Sequence, residues 1–267
     1  MREELGGQPD TPHAPRVSII TVTYNAELLI ERTLESVFAL QYPSVEYIVI
    51  DGGSTDRTME IVARHGGRIG HVVCEPDKGI YDAMNKGLAR ATGDYVWFLN
   101  AGDTAASSDC LDELRSASPP PDFLYGDTIL VDSSGVAVGR TQAPLTLQRH
   151  HMEWGAVVSH QSFLPRREHV SPYDTRLRFI ADQKWMVQAL SRCSVGRKAA
   201  KPLSRYLLGG LSQRRYLACL LEKIRYSFAE LGLPVALRVT LAAPYSCLLY
   251  TSPSPRDLST SRMPSSA

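Results

Sequence analysis

The chain of 267 residues has little cysteine, almost no net charge and no long apolar run. Its five cysteines, Cys74, Cys110, Cys193, Cys219 and Cys247, are odd in number, scattered, and form no C-x-x-C pair. That pattern argues against a disulfide framework or a zinc site and fits a reducing cytosol. A formal net charge of +1 gives no reason to expect a nucleic-acid partner. No stretch reaches the roughly 18–20 apolar residues that span a bilayer. Met1–Pro15 is polar and proline-rich, reading as a disordered lead-in without the apolar segment of a secretory signal. The expectation is a cytoplasmic protein. Basic residues gather after Arg140, at Arg166-Arg167, Arg197-Lys198, Lys201 and Arg214-Arg215. A solvated face is the ordinary reason for such charges; peripheral contact with the inner face of the cell membrane is the other. Two phosphate-binding loops are also missing: no G-x-G-x-x-G follows the first candidate strand, and there is no G-x-x-x-x-G-K-[ST].

What is present is strand–helix alternation. Arg16–Tyr24 is rich in β-branched residues and reads as a strand. Asn25 to about Leu40 follows as a helix, with Leu29, Ile30, Leu34, Val37 and Phe38 at helical spacing, and Pro43 stops it. Val45–Ile50 is a second buried strand, and Ser54 or Thr55 caps a helix running to about His65. A short strand at His71–Glu75 precedes a helix over Ile80–Ala91, with Ile80, Met84 and Leu88 on its buried stripe. Tyr95–Leu99, five apolar residues between Gly93 and Asn100-Ala101-Gly102, is a strand buried on both faces. The expected fold class is α/β, a Rossmann-like, mostly parallel sheet with helices on both faces and a smaller region after it. Residues 16–117 form the first half and 118–244 the second, with a hairpin of Phe123–Val131 and Val136–Arg140, an apolar stretch at Gly155–Leu164, and helices over Ala181–Ser191 and Tyr216–Leu231.

Three carboxylates fall at corresponding places: Asp51 ends the second strand, Asp77 follows the third and Asp103 follows the fourth. Ligands of open α/β sheets gather outside the carboxyl ends of the strands. One aspartate there is a turn residue, whereas several converging on one edge suggest a polar ligand. Acidic strand ends without a glycine-rich phosphate loop favour metal-mediated binding of a nucleoside diphosphate.

Val17–Asn25, Ile48–Thr58 (Ile-Val-Ile-Asp-Gly-Gly-Ser-Thr-Asp-Arg-Thr) and Asp77–Asp103 together resemble family 2 glycosyltransferases of the GT-A fold. The resemblance is strong from Arg16 to Asp103 and continues more weakly through His160-Gln161-Ser162 and Ala181-Asp182-Gln183. It is to the subgroup that builds bacterial surface polysaccharides, and it implies an inverting, metal-dependent enzyme. Carried over residue by residue, it lays Thr21, Tyr24 and Asn25 along the nucleotide. It makes Asp51 the acceptor for a base N–H such as N3–H of uracil, and it adds Asp77, Lys78 and Asp82 to the donor's base and sugar. Asn100-Ala101-Gly102-Asp103 takes the D-x-D position, leaving Asp103 to coordinate Mn2+ or Mg2+ with Asn100 offering a carbonyl oxygen. Asp182 takes the general base's place, His160 and Gln161 lie on the acceptor side, and Gly209-Gly210-Leu211-Ser212 resembles an acceptor-side loop. Gln213-Arg214-Arg215-Tyr216 lacks the spacing of the processive Q-x-x-R-W motif, so single additions are expected. The implied partners are a nucleotide-sugar donor, UDP-linked in preference to GDP- or dTDP-linked, and a glycan or lipid-linked acceptor.

Two rival readings follow from the same residues. One is a sugar-phosphate nucleotidyltransferase, which would need a basic glycine-rich loop where Thr23-Tyr24-Asn25-Ala26 stands. The other is a degenerate nucleotide-sugar-binding partner of a synthase complex, which Gly102 in the metal motif favours. Residues 245–267 lack periodicity, are crowded with serine and proline, and resemble translated sequencing-adapter read-through. They are expected to be non-native, without function, and to stand where the true C-terminus is missing.

Overall fold

The computed structural model describes residues 14–153, 157–209 and 215–241. The greater part of the expected lead-in, the start of the apolar stretch at Gly155, the loop at Gly210-Leu211-Ser212, the pair Gln213-Arg214 and the expected non-native tail lie outside them. Strands β1 (Val17–Thr23), β2 (Val45–Asp51), β3 (His71–Cys74) and β4 (Tyr95–Phe98) form a parallel sheet ordered β3-β2-β1-β4. Val17 lies opposite both Val45 and Tyr95, while Thr23 lies opposite Asp51 and Asp51 opposite Cys74. The register therefore brings the carboxyl ends of β1, β2 and β3 into line. Helices α1 (Ile30–Phe38), α2 (Thr58–Arg64) and α3 (Ile80–Leu88) make the crossovers.

Strand alternation divides the core between the two faces of this sheet. Val17, Ile19, Tyr47, Val49, Tyr95 and Trp97 pack with Ile30 and Leu34 of α1 and Ile61 and Val62 of α2. Ile20, Val22, Ile48, Ile50, Val96 and Phe98 pack on the other face with Tyr81 and Met84 of α3 and with Trp185. Because both faces are covered, β4 reads as an unbroken apolar run and β2 as one from Tyr47 to Ile50.

The later strands are β5 (Thr104–Ala105), β6 (Phe123–Tyr125), β7 (Thr128–Val131), β8 (Ala137–Thr141), β9 (Phe163–Pro165), β10 (Gly196–Lys198) and β11 (Ser204–Leu207). An antiparallel bridge from Tyr95 to Arg166 carries the first sheet on into a second, ordered β10-β6-β9. A third sheet, β5-β11-β7-β8, lies beyond the end of β4. Further helices are α4 (Asp112–Ser116), α5 (Arg149–Glu153), α6 (Ala181–Leu190) and α7 (Tyr216–Tyr226); α7 runs on as a π-helical turn, Ser227–Leu231, and residues 233–241 are helical as well.

Four expectations are corrected. The first helix begins at Ile30, not Asn25, because Asn25 takes a left-handed backbone conformation, φ 47°, that a helix cannot continue through. The second helix is held at its start by Asp56, whose Oδ1 accepts from the Thr58 N–H at 3.0 Å, rather than by Ser54 or Thr55. Phe123–Val131 is two strands in different sheets, broken where the Asp127 carboxylate turns to the Ala143 N–H at 2.8 Å. On α3 the buried residues are Tyr81, Ala83, Met84 and Gly87, and Ile80 is exposed. Gly87 lets this helix lie directly on the sheet, since a Cβ there would strike the Ile20 Cγ2 methyl and crowd Ile50. Gly87→Ala should therefore destabilise the fold by about 1–3 kcal/mol through overpacking, despite alanine's higher helix propensity. Urea unfolding of the two proteins measures this.

Candidate active site

At the ends of β1 and β2 the chain turns twice, and Asn25 ties the turns together. Its N–H donates to Ser54 Oγ at 2.8 Å and its Oδ1 accepts from the Thr55 N–H at 2.9 Å. Asp51 organises the same loop. It is fully buried, its Oδ2 accepting from the N–H groups of Gly53 and Ser54 at 3.0 and 2.8 Å and from the Cys74 thiol at 3.1 Å. Its Oδ1 accepts from Ser54 Oγ at 2.5 Å. The hydrogen bond to this carboxylate raises the Cys74 thiol's pKa. Thr21 is also fully buried, its hydroxyl paired with that of Tyr47 at 3.0 Å. Asp51 and Thr21 are therefore both engaged by neighbours within the chain at this end of the sheet.

The carboxylate left facing outward is Asp77. One oxygen accepts from the Gly79 N–H at 2.7 Å; the other lies over Gly52, in the space that a Cβ would fill, beside the exposed Tyr24 ring. Lys78 is exposed, and Asp82 folds back to accept from the Lys78 N–H at 3.0 Å, closing the turn into α3.

At the end of β4, Asp103 points inward. It is 4% exposed, with Oδ1 accepting from the Leu207 N–H at 3.0 Å and Oδ2 from Gln161 Nε2 at 2.9 Å. Burial raises its pKa to about 7 against the pull of those two hydrogen bonds and of Arg32. The loop around it is clipped to α1. Thr33 Oγ1 accepts from the Gly102 N–H at 2.9 Å and donates to the Asp103 carbonyl at 2.7 Å, while Arg32 donates to the Gly102 carbonyl at 2.7 Å. Both oxygens of Asp103 are thus engaged within the chain, one of them by Gln161. Ala101 is held by its N–H on the Val22 carbonyl at 3.1 Å. Asn100 Oδ1 is buried without a partner, the kind of oxygen a hard cation takes. The described residues contain no group of three His, Cys, Asp or Glu able to hold a metal.

Asp182 stands in the first turn of α6. Its Oδ1 accepts from its neighbour's N–H, Gln183, at 2.8 Å and from the Tyr81 hydroxyl at 3.2 Å. Burial raises its pKa above the usual carboxylate range. Beneath it Tyr173 stacks between Tyr81 and Trp185, at ring-centroid distances of 5.7 and 5.0 Å. His160 belongs to this floor. Its Nε2 pairs with the Tyr173 hydroxyl at 2.6 Å, its ring packs on Phe98 and Trp185, and burial lowers its pKa to about 3. It is a buried, hydrogen-bonded residue whose charged form burial disfavours.

Sequence reading missed Thr33, Arg32, Tyr81 and Tyr173. Thr33 and Tyr81 carried a signal: each is a polar side chain on the buried stripe of its own helix.

Residues 18–186 match the family model described as Glycosyl transferase family 2. The chain belongs to that family. An uncharacterized glycosyltransferase of Mycobacterium tuberculosis is 34% identical over 188 residues, covering 67% of this chain and 71% of its own length. Among solved structures, residues 1–349 of TarS from S. aureus, in complex with UDP-GlcNAc, superimpose with a TM-score of 0.63 at 17% identity, covering 93% of this chain and 76% of that fragment. A mannosyltransferase from Pyrobaculum calidifontis, in complex with GDP-Man and Mn2+, gives 0.63 at 19% identity, covering 96% and 79%. The fold is accordingly GT-A.

The burial of Asp103 has a measurable consequence. Its folded pKa lies above its unfolded value, so the folded state binds the extra proton between about pH 4 and pH 7, and stability falls as pH rises through that window. Asp103→Asn removes the titration. Denaturant unfolding at pH 5 and pH 8 should show a smaller loss of stability in the variant than in the parent, whatever the amide costs at a single pH.

Proposed function

We propose that this chain moves a sugar from a UDP-linked donor to a hydroxyl of a glycan or lipid-linked glycan, with inversion at the anomeric carbon. The observation that carries the proposal is Asp182: a carboxylate with raised proton affinity, fixed by Tyr81 on an aromatic floor that also backs the end of β4. In this reading the acceptor oxygen attacks the anomeric carbon, the bond to the diphosphate breaks, and the acceptor proton passes to an Asp182 oxygen. A positioned base contributes typically about 10²–10⁴-fold to such a step. Tyr24 and Gly52 form the wall against which the base lies, and the outward oxygen of Asp77 accepts its N–H. Asn25, Lys78 and Asp82 shape the rest of the donor edge. Mn2+ or Mg2+ would be held through Asn100 and would offset the charge of the departing diphosphate.

The test is calorimetry with UDP, GDP and dTDP, each with and without Mn2+, followed by UDP release from UDP-sugars. UDP should bind best, and Mn2+ should bind appreciably only together with a nucleotide. Asp77→Asn should weaken UDP binding about tenfold, the size of one lost hydrogen bond. Asp182→Asn should bind UDP as the parent does and turn over far more slowly. Equal loss of UDP affinity in both variants would remove Asp182 from the acceptor side. Complete absence of UDP release from the parent would favour the non-catalytic binding partner.

Peripheral membrane contact belongs to the same proposal. No helix among the described residues is long and apolar enough to cross a bilayer. However, α7 and the helix over residues 233–241 expose Leu217, Leu221, Leu233, Leu237 and Leu241 alongside Arg225 and Arg238, a combination suited to an anionic lipid surface. Co-sedimentation with phosphatidylglycerol vesicles should fall in Leu221→Ser/Leu237→Ser. Undiminished sedimentation would discard this surface.

A further inference from the structure

The helix that carries Asp182 has one side-chain acceptor of its own at its start, Asp182 Oδ1 on the Gln183 N–H. Its N-cap residue, Ile180, makes no side-chain cap hydrogen bond, although helix starts leave several backbone N–H groups unsatisfied. An acceptor for the backbone that leads into the helix comes from a distant part of the chain. Glu222, on α7, accepts from the N–H of Arg178 through Oε1 at 2.7 Å, and through Oε2 from those of Phe179 and Ile180 at 2.7 and 3.1 Å. Three consecutive N–H groups leading into α6 thus converge on one carboxylate, at the positive end of the helix dipole, where an anion is stabilised.

We propose that Glu222 is a positioning residue for the transfer reaction, clamping the start of α6 so that Asp182, two residues past the clamp, is held in place for the acceptor. The inference rests on the reading of Asp182 as the base. The matched family region ends at residue 186, so the clamp is supplied by chain beyond it. The same C-terminal segment reaches α6 again, where Lys184 donates to Glu230 at 2.5 Å and to Asp174 at 3.0 Å. The region after α6 therefore grips the helix at its start and within its first two turns.

Glu222 also acts through charge. Tyr81 from α3, Tyr173 from the segment before α6, and Cys219 and Glu222 from α7 all interact electrostatically with Asp182. Burial is the largest cause of the raised Asp182 pKa, and the negative charge of Glu222 adds to it. Neutralising Glu222 should lower that pKa and so shift the base limb of a pH–rate profile to lower pH.

The experiment compares the full chain with Glu222→Gln, Glu222→Ala and Asp182→Asn. Three quantities are read: UDP affinity by calorimetry, UDP release from UDP-glucose, UDP-galactose and UDP-GlcNAc across pH, and the titration of the 13C-labelled Asp182 carboxyl, assigned by its loss in Asp182→Asn. Expected in Glu222→Gln are UDP affinity within twofold of the parent, UDP release at least tenfold slower, and an Asp182 titration midpoint shifted to lower pH. Glu222→Ala should show the same changes, larger; if it does not fold, Glu222→Gln decides alone. An unchanged Asp182 titration and UDP release in Glu222→Gln would overturn the clamp, as would a UDP affinity that falls in proportion to the rate. Parent-level release in Asp182→Asn, with the Asp182 resonance still moved by Glu222→Gln, would instead overturn the base reading on which the proposal stands.

Discussion

The buried carboxylate of Asp103 is the constraint on which the centre of this molecule depends. It joins three segments that are far apart in sequence: the loop after β4, the turn carrying Gln161, and β11. A buried acidic group is tolerable only with its hydrogen bonds made, and each of its oxygens has one. Trp97 strengthens the same junction by donating from Nε1 to the Gln161 carbonyl at 2.8 Å. Ser162, the next residue, bonds Thr128 and Ser204 at 2.7 Å each. The segment 160–162 is thus a polar seam fastened to β4, β7 and β11, and the two halves of the molecule meet along it.

The same seam separates two carboxylates of unlike character. Asp103 is enclosed and hydrogen-bonded through both oxygens, while Asp182 stands over an aromatic stack and takes the Tyr81 hydroxyl and the Gln183 N–H on the same oxygen, Oδ1. His160 and Gln161, adjacent in sequence, serve opposite sides of the seam, one packed with Tyr173 and Trp185 and the other bonded to Asp103. Burial raises both pKa values, with different results. For Asp103 it makes a carboxylate that ties three segments together sensitive to pH near neutrality, and for Asp182 it favours acceptance of a proton.

A second theme is support from beneath. Asp51, Thr21, Thr33 and Glu222 each carry polar chemistry that a surface reading would assign to a ligand. In the folded chain each is turned toward backbone or a neighbouring side chain. Loops that must hold an open shape at the end of a sheet cannot pair with another strand, so their N–H groups need acceptors from side chains. The acidic residues at strand ends meet much of that need.

The sequence by itself determined the parallel sheet, because Tyr95–Leu99 is apolar at every position, Tyr47–Ile50 likewise, and only a strand covered on both faces can bury such runs. It also determined the line of aspartates at the strand ends, since strand lengths and crossovers follow from local periodicity. Only the tertiary structure decided which of those aspartates faces outward. Asp51, Asp77 and Asp103 are equivalent in local sequence terms, yet Asp51 is consumed by its own loop, Asp103 by Gln161 and Leu207, and Asp77 keeps an oxygen free above Gly52. Their partners lie from two to 104 residues away, and the direction of a side chain depends on those long-range donors. The same physical reason hid Glu222: a cap supplied from a helix 42 residues downstream leaves no mark in the local sequence of the helix it caps.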